Sequence, residues 1–479
     1  MFIVNQPKWR EFMRKIMSLF TAVLFVMLTL SPGILRADEP VATTKDLEQV
    51  NSQLRDQITD LQNRLKDFEN RLSNAEKRPS GAPSYIPSPS GKAEGGMIKT
   101  LEDINMSGFL DTSYNLNTNR PQKAGANVAT NNLRTFDSRD NNFDLNAFEL
   151  DFEKLAPAEG GVGFRADLAY GLNAAVTDGG GINFDGVAGI GPDEFDLQQA
   201  YGELNIPING GPVLGDKINI KAGKFVTMAG AEVIESKDNW NISRSTAFGF
   251  GIPFTHTGIR SSVDLDGGKG KLNLGLNNGW DVVQETNNYK TFEGGLSWNL
   301  TDKLSASTAN YLGKESQTDA NTAVISDDMR FLSSNVLTWK TPVEKLTLMG
   351  NWDIGNQRNV KAITAGALNN PKVGNSGMWH SYDFYAKYDL SEKMYLAYRG
   401  ELFEDNDSFR TYGVTTPRSA RRFWGHTFTL DYRPYKNFIS RLEYRMDTSD
   451  AGIFDVTTGG STEGQGSQST FGTELIYLF

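Results

Sequence analysis

The stretch NFISRLEYRMDT, residues 437–448, carries Arg441, Glu443, Arg445 and Asp447 at every second position, with Phe438, Leu442, Tyr444 and Met446 on the other parity. On an extended chain these residues make one charged face and one apolar face. Rows of full charges do not suit the inside of a soluble sandwich. They could pair with one another and solvate a wall, or set up a field across water that orients and filters polar solutes. GVGFRADLAYGL (161–172) repeats the layout, with Arg165 and Asp167 opposite Val162, Phe164, Ala166, Leu168 and Tyr170. KLTLMGNWDIG (345–355) sets Asn351 and Asp353 against Leu348, Trp352 and Ile354. MWHSYDFYAKYDL (378–390) sets Asp383, Lys387 and Asp389 against Tyr382, Phe384, Tyr388 and Leu390.

Catalytic chemistry has no comparable footing. The chain has no cysteine, which excludes thiol nucleophiles, Cys-ligated zinc, disulfides and a lipidated N-terminal cysteine. Its three histidines, His256, His380 and His426, fall on separate segments and define no metal site. GVAGIG (186–191) precedes no helix and reads as loop rather than phosphate cradle. Carboxylates are so common on the charged parity that a pair of them is no catalytic signal, and no nucleophile motif is present. The reading is therefore not an enzyme, with no cofactor and no metal. The formal charge of −10 leaves no basic footprint for nucleic acid.

The elements that carry these faces are strands. After residue 40 no apolar run is long enough for a transmembrane helix. From Met97 onward, sixteen alternating segments start near 106, 142, 162, 195, 216, 255, 270, 290, 303, 329, 345, 379, 393, 423, 437 and 469. In the second, the parity switches near Ala147 and Phe148, which suggests a bulge. Short connections (155–161, 209–215, 265–269, 301–302, 341–344, 391–392, 434–436) alternate with longer ones rich in Asn, Gly, Asp and Thr. An even strand count with short turns on one rim and long loops on the other predicts an all-β transmembrane antiparallel barrel of about 16 strands over 97–479. Lipid covers the apolar parity and water the charged one. The C-terminal run FGTELIYLF then has a reason: Phe471, Leu475, Tyr477 and Phe479 face lipid, the last two at the periplasmic aromatic girdle.

Residues 1–37 have the layout of a secretory signal peptide: Lys8, Arg10, Arg14 and Lys15, an apolar run over 16–30, then Ser31-Pro32-Gly33 and Ala37 before the cut. An uncleaved anchor is the alternative. Residues 38–78 read as a coiled coil, with Leu47, Asn51, Leu54, Ile58, Leu61, Leu65, Phe68 and Leu72 spaced as a and d positions. Arg64 with Glu69 and Arg71 with Glu76 meet between chains in a parallel coil. RLKDFE (64–69) resembles the R-h-x-x-h-E motif of short trimeric coils. A solvated single helix is the alternative. Residues 79–96, rich in Pro, Ser and Gly, read as a linker.

The third long connection (226–256) is more apolar than its neighbours and offers Glu232, Glu235, Lys237, Asp238 and Arg244. Left outside, AFGFGIPF (247–254) would expose many apolar side chains. Facing it, the charged parity offers Arg165, Asp167, Arg260, Arg399, Arg433, Arg441 and Arg445 as lumen-wall residues. These arginines either face an acidic loop across a pore or pair with Glu401, Asp431, Glu443 and Asp447.

Residues 222–260, with NAFEL (146–150) and FRADLAYGLNA (164–174), resemble bacterial outer-membrane β-barrel porins of the OmpL-like kind, over roughly residues 105 to 479. The resemblance implies a pore and, as in general porins, a third loop folded inward as a constriction. The terminal Phe479 with Tyr477, Leu475 and Phe471 resembles the signal that outer-membrane barrels offer to the barrel assembly machinery. The expectation is a passive channel for small hydrophilic solutes and ions in the bacterial outer membrane, a homotrimer in lipid with its coiled coil in the periplasm. The alternative is a barrel-anchored tether whose coil staples a trimer or contacts peptidoglycan.

Overall fold

The computed structural model describes residues 104–479 apart from 122–129, 179–193, 212, 319–323, 360–375, 406–408, 412–421 and 459–460. The signal peptide, coiled coil and linker expected over 1–96 lie outside the described residues.

Alternation at period two gives strands, and the strands close on themselves. In chain order they are β1 (Asn105–Asn117), β2 (Asn142–Lys154), β3 (Gly161–Tyr170), β4 (Phe195–Pro207), β5 (Leu214–Val226), β6 (Thr255–Leu265), β7 (Gly270–Asn277), β8 (Thr291–Thr301), β9 (Leu304–Thr318), β10 (Val324–Lys340), β11 (Leu346–Gln357), β12 (Gly377–Ser391), β13 (Met394–Asp405), β14 (Arg422–Tyr435), β15 (Phe438–Ser449), β16 (Phe454–Thr458), β17 (Ser461–Gln465) and β18 (Ser467–Leu478). Each strand from β1 to β14 pairs antiparallel with the next, β18 pairs with both β15 and β1, and the result is a closed sixteen-stranded barrel. β16 and β17 form a separate hairpin within the last long connection.

Closure is what a hydrocarbon environment demands, because no water is present there to satisfy a free sheet edge. The seam is complete to its last residue: Phe479 N–H donates to Gly108 O and Gly108 N–H to Phe479 O, both at 3.0 Å. Gly108 is needed there, since a Cβ would lie 2.6 Å from the Phe479 ring. Outside, Val162, Tyr170, Leu204, Ile259, Phe384, Trp424, Phe471, Leu475, Tyr477 and Phe479 are exposed, as the apolar parity requires.

The expected segments match the barrel strands closely. The largest offset is at β10, which starts at Val324 rather than near 329. There β9 and β10 continue beyond the apolar band through Lys314, Glu315, Ser316, Asp327 and Asp328, where both faces carry polar side chains and no apolar alternation marks the strand. The bulge expected in β2 is present: Asn146 is the extra residue opposite the Asp111/Thr112 step. β4 carries a second, at Gln198, opposite the Asp167/Leu168 step. Each bulge turns two successive side chains inward, Asn146 with Ala147 and Gln198 with Gln199.

Candidate pore interior

The wall residues face inward by parity, and the β5–β6 connection (227–254) is tied to them. Met228 N–H donates to Tyr311 Oη on β9 at 3.0 Å, and Gly230 N–H to Ser334 Oγ on β10 at 2.9 Å. Trp379 Nε1 on β12 donates to Gly251 O at 2.9 Å. Three wall arginines add to these ties. Arg399 on β13 reaches Glu232 Oε1 at 2.7 Å and Ser243 Oγ at 3.1 Å. Arg441 on β15 reaches Ser236 O at 2.8 Å and Asn239 O at 2.9 Å, while binding Asp431 and Glu474 on the wall. Arg445 on β15 reaches Arg244 O at 2.6 Å and holds Glu401 and Asp447. A guanidinium has five N–H donors in a fixed fork, so it can serve a wall carboxylate and a loop carbonyl at once.

Carboxylates bind the opposite polarity of the same segment. Glu443 accepts Ile242 N–H at 2.7 Å and Ser243 N–H at 3.0 Å; Glu401 accepts Thr246 N–H at 2.8 Å. The loop backbone is thus satisfied by wall charges where no sheet or helix is available to do it. The first external connection joins in, with Arg134 Nη2 2.7 Å from Asp447 Oδ2.

Above these ties the connections meet in an apolar cluster. Leu133 and Phe136, Phe248, Ile252 and Phe254, Trp280, Phe409, and Ile453 with Phe454 come from five connections and pack on Tyr311, Leu332, Trp379, Phe403 and Phe423 of the wall. AFGFGIPF contributes Phe248, Ile252 and Phe254 to it, so its apolar content is buried.

The loop residues singled out from sequence take different positions. Glu232 is buried between Arg399 and the Ser245 N–H (2.7 Å). Arg244 is buried too; it donates to Ile242 O at 2.8 Å, also to Ile234 O, and covers the Phe136 ring at 4.8 Å. Glu235 accepts from Gln198 Nε2 at 2.8 Å. Burial pushes its carboxyl above the ordinary range, Asp167 and Asp238 act the same way, and Lys237 opposes them. Lys237 and Asp238 pair with each other at 2.5 Å and remain accessible.

The wall residues divide likewise. Arg399, Arg441 and Arg445 are fully buried under the loop rather than open to the lumen. Arg260 lies against Glu293 (2.6 Å) and the Phe225 ring (4.2 Å). Arg165 pairs with Asp167 at 2.8 Å, and Arg433 with Asp431 at 2.8 Å; both arginines keep part of the guanidinium exposed.

The open part of the interior lies elsewhere. A cavity of about 500 Å³ is lined by Asp264, Lys271, Ser297, Ser305, Ser307 and Thr338. One of about 360 Å³ runs along Glu203, Asn205, Lys217, Asn219, Lys221 and Arg260. A third, about 340 Å³, lies beside Lys237, Trp240, Lys387, Tyr395 and Arg433. Lys217, Lys221 and Lys271 were missed from sequence, although their shared inward parity in KINIK and at the start of β7 was a usable signal. Among the described residues, Glu149, Asp151 and Asp167 bring carboxylate oxygens within 4.8 Å of one another.

The fold and interior define a class: an outer-membrane β-barrel with a polar, loop-crossed lumen. The chain belongs to the OmpL-like family named Putative beta-barrel porin-2, which matches residues 103–479. No match was found among curated proteins. Solved structures similar to it include the outer membrane channel DcaP of Acinetobacter baumannii (13% identity, 79% of this chain and 97% of that one, TM-score 0.48). The anion-selective porin from Comamonas acidovorans is similar at 11% identity over 78% of this chain and 99% of that one, TM-score 0.46. OmpF of Salmonella typhi in complex with daunomycin is similar at 11% identity over 78% and 97%, TM-score 0.45.

Proposed function

We propose that this porin is a passive diffusion channel for small hydrophilic solutes and ions, narrowed by the connection 227–254. The observation that carries the reading is the placement of that connection. It is tied to inward side chains of β9, β10, β12, β13 and β15, while the face from β4 to β10 keeps water-accessible cavities lined by Lys, Asn and Ser. A sixteen-stranded barrel is wide enough for an aqueous path beside such a segment. Solutes would then sense Lys217, Lys221, Lys271, Lys237 and Asp238 rather than the buried arginines.

The test is single-channel recording of the purified, unheated protein in a planar bilayer under a salt gradient. Ohmic steps are expected, and the reversal potential gives the sign of the filter. Stable insertion with no current would overturn the channel reading.

The same proposal covers the assembly. Residues 1–37 direct export, 38–78 form a periplasmic coiled coil, 79–96 link it to the barrel at 97–479, and the chain is a homotrimer. The heptads from Leu47 to Leu72 and the RLKDFE motif support it. The outward exposure of Phe471, Leu475, Tyr477 and Phe479 supports recognition of β18 by the barrel assembly machinery. The second reading, a tether contacting peptidoglycan through the coil, rests on the same heptads. Deleting 41–78 should change oligomer mass or envelope attachment and leave conductance intact; if both are unchanged, the stapling and tether roles fall.

A further inference from the structure

Among the described residues, four polar side chains cluster on the outer wall within its apolar belt. On β9, Thr308 and Asn310 face outward; beside them on β10, Ser333 and Asn335 do the same, since the register pairs Thr308 with Asn335 and Asn310 with Ser333. Leu337 and Trp339 are exposed below this group, and Leu312 and Phe331 above it. Asn335 stands four residues from Trp339, roughly 13 Å along the strand at ~3.3 Å per residue. The group therefore lies well inside an apolar band roughly 25 Å tall.

A lone hydroxyl at this depth is easily accommodated by the barrel's own backbone. Thr112 Oγ1 donates to Leu475 O at 3.5 Å and Ser261 Oγ to Leu274 O at 3.0 Å. A carboxamide is not so easily satisfied, because it has two N–H donors and a carbonyl acceptor. Asn310 Nδ2 donates to Thr308 Oγ1 at 3.1 Å, while Asn335 Nδ2 donates to Ser333 Oγ at 3.2 Å and to Trp352 O on β11 at 3.4 Å. Among the described residues nothing donates to either Oδ1. In hydrocarbon the two unmet side-chain carbonyls are costly, and lipid tails offer no partner. A neighbouring protein wall does, and interhelix amides in membranes are satisfied in the same way.

We infer that the Thr308–Asn310–Ser333–Asn335 patch is the contact surface for a second copy of this chain. It rests on the homo-oligomer reading above. The patch is complementary to itself: each carboxamide offers both a donor and an acceptor, so like can face like. In a two-fold contact the same patch lies on both sides of the interface, whereas in a three-fold ring equivalent residues meet only where the patch lies beside the axis. Gly294, paired with Asn310 on the neighbouring β8, leaves that flank of the wall low enough for close approach. A bare lipid neighbour leaves the Oδ1 atoms unmet, and a different polar partner would have no reason to match four uncharged donors and acceptors arranged in this register.

The test uses the full-length protein extracted from outer membranes in mild detergent, with mass read by light scattering. The wild type is expected to be oligomeric and N310L/N335L to fall to single-chain mass while keeping its heat-modifiable gel shift. An unchanged mass in the variant overturns the inference and leaves the oligomer reading standing; a wild type of single-chain mass removes both. A second variant guards against misfolding. The chain has no cysteine, so N335C supplies one thiol per copy. Mild oxidation in intact membranes should yield a disulfide-linked pair, and absence of that pair while the protein is oligomeric places the contact elsewhere.

Discussion

Arg399 on β13 and Glu232 in the β5–β6 connection meet at 2.7 Å across 167 residues of sequence, both buried. The contact joins the wall to the segment proposed to narrow the lumen. Replacing one partner leaves the other charge buried and unpaired, which costs about 3–5 kcal/mol. R399M should therefore free the middle of the connection. Single-channel current is expected to grow and to become noisy, and the unfolding temperature of the barrel to fall. Unchanged current with R399M would show that the segment is held by its other ties alone.

The aromatic cluster above the ties gives a second expectation. Gly355 on β11 faces Trp379 directly in the register, and a Cβ at 355 would lie 1.9 Å from the indole ring. The glycine lets the indole lie flat across the neighbouring strand and still donate to Gly251 O. G355A must push the ring away, and overpacking of this kind costs about 1–3 kcal/mol. W379A should cost more, about 3–5 kcal/mol, because it empties the centre of the cluster. Both are checked by the temperature at which the gel shift is lost. If G355A melts with the wild type, the ring has room to move.

Much of this fold was readable because a barrel wall is a local pattern. Each strand declares its two faces within ten residues, and the turns between them declare the rim. The parity of Arg441, Glu443, Arg445 and Asp447 showed which way they point. It did not show what meets them, because Ser236, Asn239 and Arg244 are about two hundred residues away and bind through backbone carbonyls, which have no sequence signature. The inward direction of Glu232 and Arg244 was legible only as loop composition. Their burial depends on Arg399 and Phe136, which no spacing connects to them. Strand β10 was shortened for the opposite reason: above the membrane both faces carry polar residues, and apolar alternation stops.

Glu235 makes the interior sensitive to acid. Its ordinary value of 4.5 is raised, first by burial. The folded state therefore holds this proton more tightly than the unfolded chain. Its contribution favours the folded loop fully below about pH 4.5 and fades as pH rises to the raised value. Lowering pH through that window should tighten the loop and quieten the current. E235Q fixes the neutral form, so its current should be quiet at neutral pH and indifferent to pH across the window. A variant that keeps the wild-type pH response would assign the titration to another group.

Selectivity should follow accessibility rather than the count of inward arginines. Lys221 lies over the Tyr201 ring at 4.4 Å, donates to its hydroxyl at 2.9 Å and lines the cavity beside Lys217 and Asn219. Arg441 carries the same charge but is fully buried among Asp431, Glu474 and loop carbonyls. Charges that passing ions can approach set the potential along the path; buried, paired ones contribute little. K221E changes the accessible charge by two and should move the reversal potential in a salt gradient toward cations. R441K keeps the buried charge but loses the fork, so it should disturb loop stability and leave the reversal potential where it was. The reverse outcome, with R441K shifting the potential and K221E leaving it fixed, would place the ion path along β13 to β15, on the far side of the loop.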